Sequence, residues 1–140
     1  MEAASTISPN ATEGLTTVAA TALALFGDAA RASYGDRLAK IVLFGSRARG
    51  EGRSDSDLDI AVVLRDLADK GADRNRLADL AYEAIVETSM DIQTVPVSLD
   101  EWEHPDHHTN PALIRAIKRD GKVIEAGHDP RTAEQSFSIR

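Results

Sequence analysis

Residues 39–64 read AKIVLFGSRARGEGRSDSDLDIAVVL. Two apolar runs, 39–44 and 57–64, flank a stretch rich in Gly, Ser and Arg. Short apolar runs bounded by turn residues predict buried strands. The first run closes on Leu43-Phe44-Gly45-Ser46-Arg47-Ala48-Arg49-Gly50, and the second opens on Ser56-Asp57-Leu58-Asp59-Ile60. Ten residues separate Ser46 from Asp57. That leaves room for a tight turn, a short helical segment and the return, so the two strands are expected to be neighbours.

Working outward, residues 14–34 are Ala-rich, with Leu15, Val18, Ala19, Ala22, Leu23 and Phe26 at helical spacing and Gly35 beyond the last turn. Downstream, 72–88 predicts a helix with Leu77, Leu80, Ala81, Ala84 and Ile85 on one stripe. Its charges, Asp73, Arg74, Arg76, Asp79 and Glu83, fall mainly on the other face. Residues 90–97 predict a third strand, which Pro96 pushes to a sheet edge. The segment after it reads as an acidic loop holding His104, His107 and His108, with Trp102 as a partly buried anchor. Asn110-Pro111 opens a helix through Arg119, Asp120-Gly121 stops it, and 122–125 forms a last short extended piece.

The expected fold class is therefore α/β (α+β): a small mixed β-sheet with helices packed on one face, the 72–88 helix crossing over to the third strand. Residues 14–125 are expected to form a single domain, with 1–13 a flexible arm and 126–140 a flexible tail. No internal repeat is visible.

Composition narrows the function classes. The 140 residues suit one domain with a core of its own. A net charge of −7 and a pI near 5.0 argue against broad binding to a nucleic-acid backbone, which needs a basic surface. A single nucleotide is still compatible, because metal ions neutralise its phosphates locally. The absence of cysteine rules out disulfides, zinc–thiolate sites and thiol nucleophiles. The apolar run 16–26 is too short to span a bilayer, and no Lys or Arg precedes Arg31 to form a basic leader region. A core-facing helix and a cytoplasmic protein without membrane contact are expected.

The chemistry lies in two halves. Side chains alternate along a strand, so Asp57 and Asp59 share one face while Leu58 and Ile60 point to the core. Paired carboxylates repel unless a cation sits between them, and Mg2+ takes carboxylates together with substrate phosphates. Asp91, opening the third strand, completes a two-metal site if that strand neighbours 57–64. In the other half, Gly45 permits a sharp turn and Ser46 can cap a following helical turn, whose exposed N–H groups attract anions. The Ser46 hydroxyl adds a donor, and Arg49, with Arg47 beside it, reaches a phosphate through charge-assisted bonds. At ordinary residue frequencies a chance Gly-Ser followed at this spacing by Asp-x-Asp arises on the order of once in several hundred chains of this length.

Competing motifs fail. Residues 50–55 lack the last glycine of a dinucleotide loop and precede a strand. Residues 55–59 begin like a calcium loop, yet Ile60 stands where Gly is needed and Asp66 where the bidentate Glu belongs. No P-loop signature is present.

The segments FGSRARG at 44–50, SDLD at 56–59 and MDI at 90–92 resemble the DNA polymerase beta-type nucleotidyltransferases, specifically the minimal nucleotidyltransferase (MNT) members. The similarity covers most of 38–125. It implies the nucleotidyltransferase fold, with Gly45 and Ser46 holding the nucleotide triphosphate and Arg49 assisting. It further implies two Mg2+ ions on Asp57 and Asp59, with Asp91 ligating the catalytic one and helping to deprotonate the attacking hydroxyl. Small members resemble antitoxins paired with a HEPN-domain toxin. The implied activity is transfer of AMP from ATP to a tyrosine hydroxyl of that toxin, within a hetero-oligomer and without direct nucleic-acid binding. The alternatives are a small-molecule (aminoglycoside-like) nucleotidyltransferase and a non-catalytic antitoxin that only binds its toxin.

Overall fold

A computed structural model of the chain describes residues 15–45 and 57–126. The expected arm at 1–13 lies outside the described residues, as does all of the expected tail but Ala126.

Helix α1 (Thr17–Tyr34) starts where the Thr16 hydroxyl accepts the Ala19 N–H, and ends at Gly35 with φ 53°. A short 3-10 turn, Gly35–Arg37, leads into β1 (Leu38–Phe44), which is followed by β2 (Leu58–Leu64). Helix α2 (Lys70–Thr88) is capped by Asp69 accepting from Ala72, and β3 (Ile92–Ser98) follows it. Helix α3 (Leu99–Glu103), helix α4 (Pro111–Asp120) and β4 (Lys122–Ala126) complete the order.

The sheet order is β3-β2-β1-β4. β1 pairs antiparallel with both β2 and β4, and β2 pairs parallel with β3, so the sheet is mixed, as expected. β2, α2 and β3 form the expected crossover unit. Pro96 lies on the edge strand β3, where its missing N–H removes no ladder bond if it faces outward. The hydrogen bond from Leu58 N–H to Asp91 C=O (2.9 Å) gives that outward phase to the even-numbered residues of β3.

On one face of the sheet, α1 and α2 cover Leu38, Ile41, Leu43, Leu58, Ile60, Val62 and Leu64. The other face is not bare, which corrects the one-sided expectation. Trp102 of α3 with Ile114 and Ile117 of α4 packs there against Ala39, Val42, Ala61, Val63 and Val97.

Helix α3 replaces part of the expected loop. Its capping box is complete: Glu101 N–H donates to Ser98 Oγ and Ser98 N–H to Glu101 Oε1, both at 3.0 Å. Burial pushes the Glu101 carboxyl up, but the Ser98 N–H and the Lys70 ammonium at 3.2 Å outweigh it and hold the group below the usual range. Trp102 is buried, with the Lys40 and Lys118 ammonium groups 5.4 and 5.5 Å from its ring centre. Trp102→Ala is expected to cost about 3–5 kcal/mol, read as a lower urea midpoint at unchanged slope. A loss below about 1 kcal/mol would show that α3 contributes little to the second core. The loop histidines bond locally: His107 Nδ1 lies 2.8 Å from Asp100 Oδ2, and His108 Nδ1 accepts the Asn110 N–H at 2.8 Å.

A second correction concerns Asp73, expected on the solvated face of α2 but buried. Arg37 donates to both of its carboxylate oxygens (2.9 and 3.4 Å), and the guanidinium lies 5.3 Å from the Tyr34 ring centre. This cluster ties the start of α2 to the end of α1. Burial, then the Asp73 charge, pushes the Tyr34 hydroxyl up to about 12, against the opposing pull of Arg37 and Arg76. An unfolded tyrosine ionises near 10, so this contribution to stability is complete below about pH 10 and lost as pH rises towards 12. Tyr34→Phe is expected to remove that alkaline loss, and denaturant midpoints measured over this window check it. A parallel decline in both proteins would refute the assignment.

Among the described residues no helix is long and apolar enough to cross a membrane.

Candidate active site

The turn after β1 and the starts of β2 and β3 lie at one end of the sheet, and the register fixes how they meet. Phe44 pairs with Asp59 across β1 and β2, so Gly45 leaves the strand directly beside that aspartate. Gly45 has φ 80°, a conformation that L side chains rarely adopt. A Cβ on it would lie 2.3 Å from Asp59 Oδ2. The glycine is therefore required twice, for its turn and for the carboxylate lodged against it.

Leu58 and Ile60 are fully buried on the α1–α2 face, which leaves Asp57 and Asp59 half-buried on the opposite face, as the alternation predicts. Across β2 and β3, Leu58 pairs with Ile92 and Asp59 with Gln93. The same register sets Asp91 opposite Asp57, fixed by the Leu58 N–H bond to the Asp91 carbonyl. Adjacent strands lie about 4.8 Å apart, and alternate residues of a strand about 6.7 Å. The backbones of the three aspartates are thus gathered at one corner, with Asp91 exposed immediately before the outer strand β3.

The chain reaches Asp91 through a tight turn. Ser89 caps α2 in the left-handed conformation (φ 62°), its N–H donating to Ile85 C=O at 2.6 Å. Met90 N–H then donates to Thr88 Oγ1 at 3.2 Å, and the Met90 side chain is buried. At the other edge, a Cβ on Gly121 would lie 2.6 Å from Val42 Cγ1 and 2.4 Å from the Ile117 carbonyl oxygen. The bare glycine lets the end of α4 and the start of β4 close against β1 just before Gly45.

Of the residues singled out in the sequence, Gly45, Asp57, Asp59 and Asp91 are brought together. Ser46, Arg47 and Arg49 lie outside the described residues. Gln93, opposite Asp59 and exposed, was not singled out; its place two residues after Asp91 on a predicted strand was the available signal.

The donor set suits a hard cation: three carboxylates and no sulfur or imidazole, as Mg2+ prefers. The space that Gly45 leaves at Asp59 also fits a carboxylate held in a fixed position. Among the described residues, no three acidic or imidazole side chains already converge as a metal cage. The fit therefore rests on backbone register and donor chemistry.

Comparison with known proteins agrees with this frame. A family model described as a nucleotidyltransferase domain matches residues 28–124. MJ1305 of Methanocaldococcus jannaschii, named as a candidate protein adenylyltransferase, is 34% identical over 92 residues, covering 65% of this chain. The chain spans 60% of the length of that relative. A chain from the crystal structure of a toxin–antitoxin with AMP-PNP is similar in fold, with a TM-score of 0.52 at 23% identity, covering 81% of this chain and 79% of that one. A chain from the complex of tri-AMPylated Shewanella oneidensis HEPN toxin with MNT antitoxin matches at a TM-score of 0.46 and 21% identity, covering 84% of this chain and 81% of that one. The family model takes in well over half of the sequence, including Gly45 and all three aspartates, and so the chain belongs to the nucleotidyltransferase domain family.

Proposed function

We propose that this chain is a metal-dependent nucleotidyltransferase that acts as an antitoxin. It transfers AMP from ATP to a hydroxyl, that of a tyrosine, on a HEPN-type toxin and so neutralises it. The observation that carries the reading is Gly45 seated against Asp59 in a nucleotidyltransferase frame, with Asp57 and Asp91 paired one strand away.

In this reading the roles divide among the strands. Gly45 and Ser46, with Arg47 and Arg49, hold the triphosphate. Asp57 and Asp59 at the start of β2 face the reacting phosphate. Asp91, immediately before the outer strand β3, stands on the acceptor side. Two Mg2+ ions, held by Asp57 and Asp59 with Asp91 on one of them, would neutralise the charge that builds on the attacking and leaving oxygens. The acceptor oxygen forms a bond to the α-phosphorus as the bond to the β-phosphate oxygen breaks; Asp91 takes the hydroxyl proton and pyrophosphate leaves. Positioning supplies most of the rate in such displacements. Among the described residues β3 is a sheet edge, which suits an acceptor group presented by another protein.

The test is incubation with labelled ATP, Mg2+ and the product of the neighbouring gene. Label on that protein, with pyrophosphate released in equal amount, is the expected result. Neutralisation of the partner without label would sink the catalytic reading, and label on an aminoglycoside instead would move the acceptor to a small molecule.

A further inference from the structure

The distribution of charge on the acceptor side has a geometric counterpart on the helical layer. Between Arg76 and Arg115 the chain holds no Lys or Arg, while Asp79, Glu83, Glu87, Asp91, Asp100, Glu101, Glu103 and Asp106 are all acidic. This region comprises most of α2, the edge strand β3 and α3.

On the last turns of α2, Asp79, Glu83 and Glu87 are exposed at successive i, i+4 positions, beside Tyr82 and Val86, which are 66% and 62% exposed. A groove of about 220 Å³ runs between this helix and α1. Leu25, Ala29, Leu80 and Ala84 give it apolar walls, and Glu83 and Glu87 supply its carboxylates. An apolar trough edged by carboxylates suits an Arg or Lys side chain, whose methylene stem lies on apolar surface while the charged head reaches the acids. A nucleic-acid backbone would be repelled there.

The groove lies on the α1–α2 face of the sheet and the aspartates on the other, but the end of α2 leads directly to the edge of the sheet where Asp91 stands. Glu87 precedes Asp91 by four residues, so at most about 14 Å of chain separates them. A macromolecule resting on the end of α2 therefore reaches the corner where Asp91 stands.

We propose that the C-terminal half of α2, with the groove it forms against α1, docks the acceptor protein through a basic surface of that protein. Tyr82 and Val86 make the apolar contact, and an Arg or Lys of the partner enters between Glu83 and Glu87. The proposal rests on the protein-acceptor reading above. It is nevertheless separable from it, because docking is measured without catalysis.

The experiment titrates the product of the neighbouring gene into wild type, Glu83→Lys/Glu87→Lys and Tyr82→Ala/Val86→Ala by calorimetry, and separately measures AMP-PNP affinity. All four positions are exposed, and none belongs to the catalytic corner. Placing like charges across the contact is expected to weaken partner binding about tenfold or more, with the alanine pair also weakening it. AMP-PNP affinity should stay within about twofold, since no nucleotide contact changes. Added salt should weaken wild-type binding and leave the lysine variant nearly unaffected. Unchanged partner affinity in both variants would overturn the proposal even if AMP transfer is observed. A wild-type dimer that both variants disperse would overturn it in favour of contact between two copies of this chain. If affinity falls as expected but wild type transfers no label, docking stands and the catalytic reading fails.

Discussion

Replacing Asp57 and Asp59 together by alanine is expected to lower AMP transfer by at least about a thousandfold. On the proposed reading these carboxylates hold metal; such groups contribute several kcal/mol to the reacting state, and about 4 kcal/mol corresponds to three powers of ten. The fold should survive. Both side chains are half-buried at the mouth of β2, and the strand is held by fully buried Leu58, Ile60, Val62 and Leu64. Removing two like charges also relieves repulsion between neighbours. The asparagine pair keeps the volume, so equal loss in Asp57→Asn/Asp59→Asn assigns the effect to charge. Single-turnover transfer of label, run beside a urea midpoint, makes the comparison. Transfer within tenfold of wild type would sink the assignment of these two residues.

Gly45→Ala is expected to reduce transfer about a hundredfold at a much smaller structural cost. A methyl there is strained by the φ of 80° and meets Asp59 at three atoms, the nearest being Oδ2 at 2.3 Å. Backbone strain of this kind costs on the order of 1–3 kcal/mol. The close atom is the end of a side chain, so the carboxylate can turn away and the sheet need not open. What is lost is the placement of Asp59, and with it the chemistry. The Asp59→Ala background tests this directly. There the methyl has no carboxylate to displace, so Gly45→Ala should destabilise less and should cost no further activity. If the two effects on activity multiply, Gly45 acts through the triphosphate alone.

Much of this was legible in the chain. The alternation over 57–60 set Leu58 and Ile60 inward and the aspartates outward, and their burial agrees, whereas 61–64 are buried throughout because both sheet faces are covered. The ten-residue return made β1 and β2 neighbours, and the 72–88 periodicity supplied the crossover to β3. In α1, Ala19, Ala22, Leu23 and Phe26 are buried as expected, but Val18 is 48% exposed, because an Ala-rich helix shows little contrast between its faces.

The misreadings have identifiable causes. The expected loop opens as helix α3 because Ser98 and Glu101, three residues apart, complete a capping box, a local signal distinct from the Pro and His composition that follows it. Asp73 looked solvated because its partner Arg37 lies on a distant turn of the chain, and only the packing of α1 on α2 unites them. Helices on the second sheet face depend likewise on Trp102 meeting Ile114 and Ile117.

By itself the sequence determined the strand–turn–strand, the glycine at the turn and the side of the strand on which Asp57 and Asp59 stand, since these follow from local spacing and side-chain alternation. Only the tertiary structure decided that Asp91 faces Asp57 and that Asp59 lies against Gly45. Both depend on pairing register between strands, fixed by hydrogen bonds such as that from Leu58 to Asp91 and by which face is buried. A slip of one residue would turn Asp91 to the opposite face without changing a letter of the sequence.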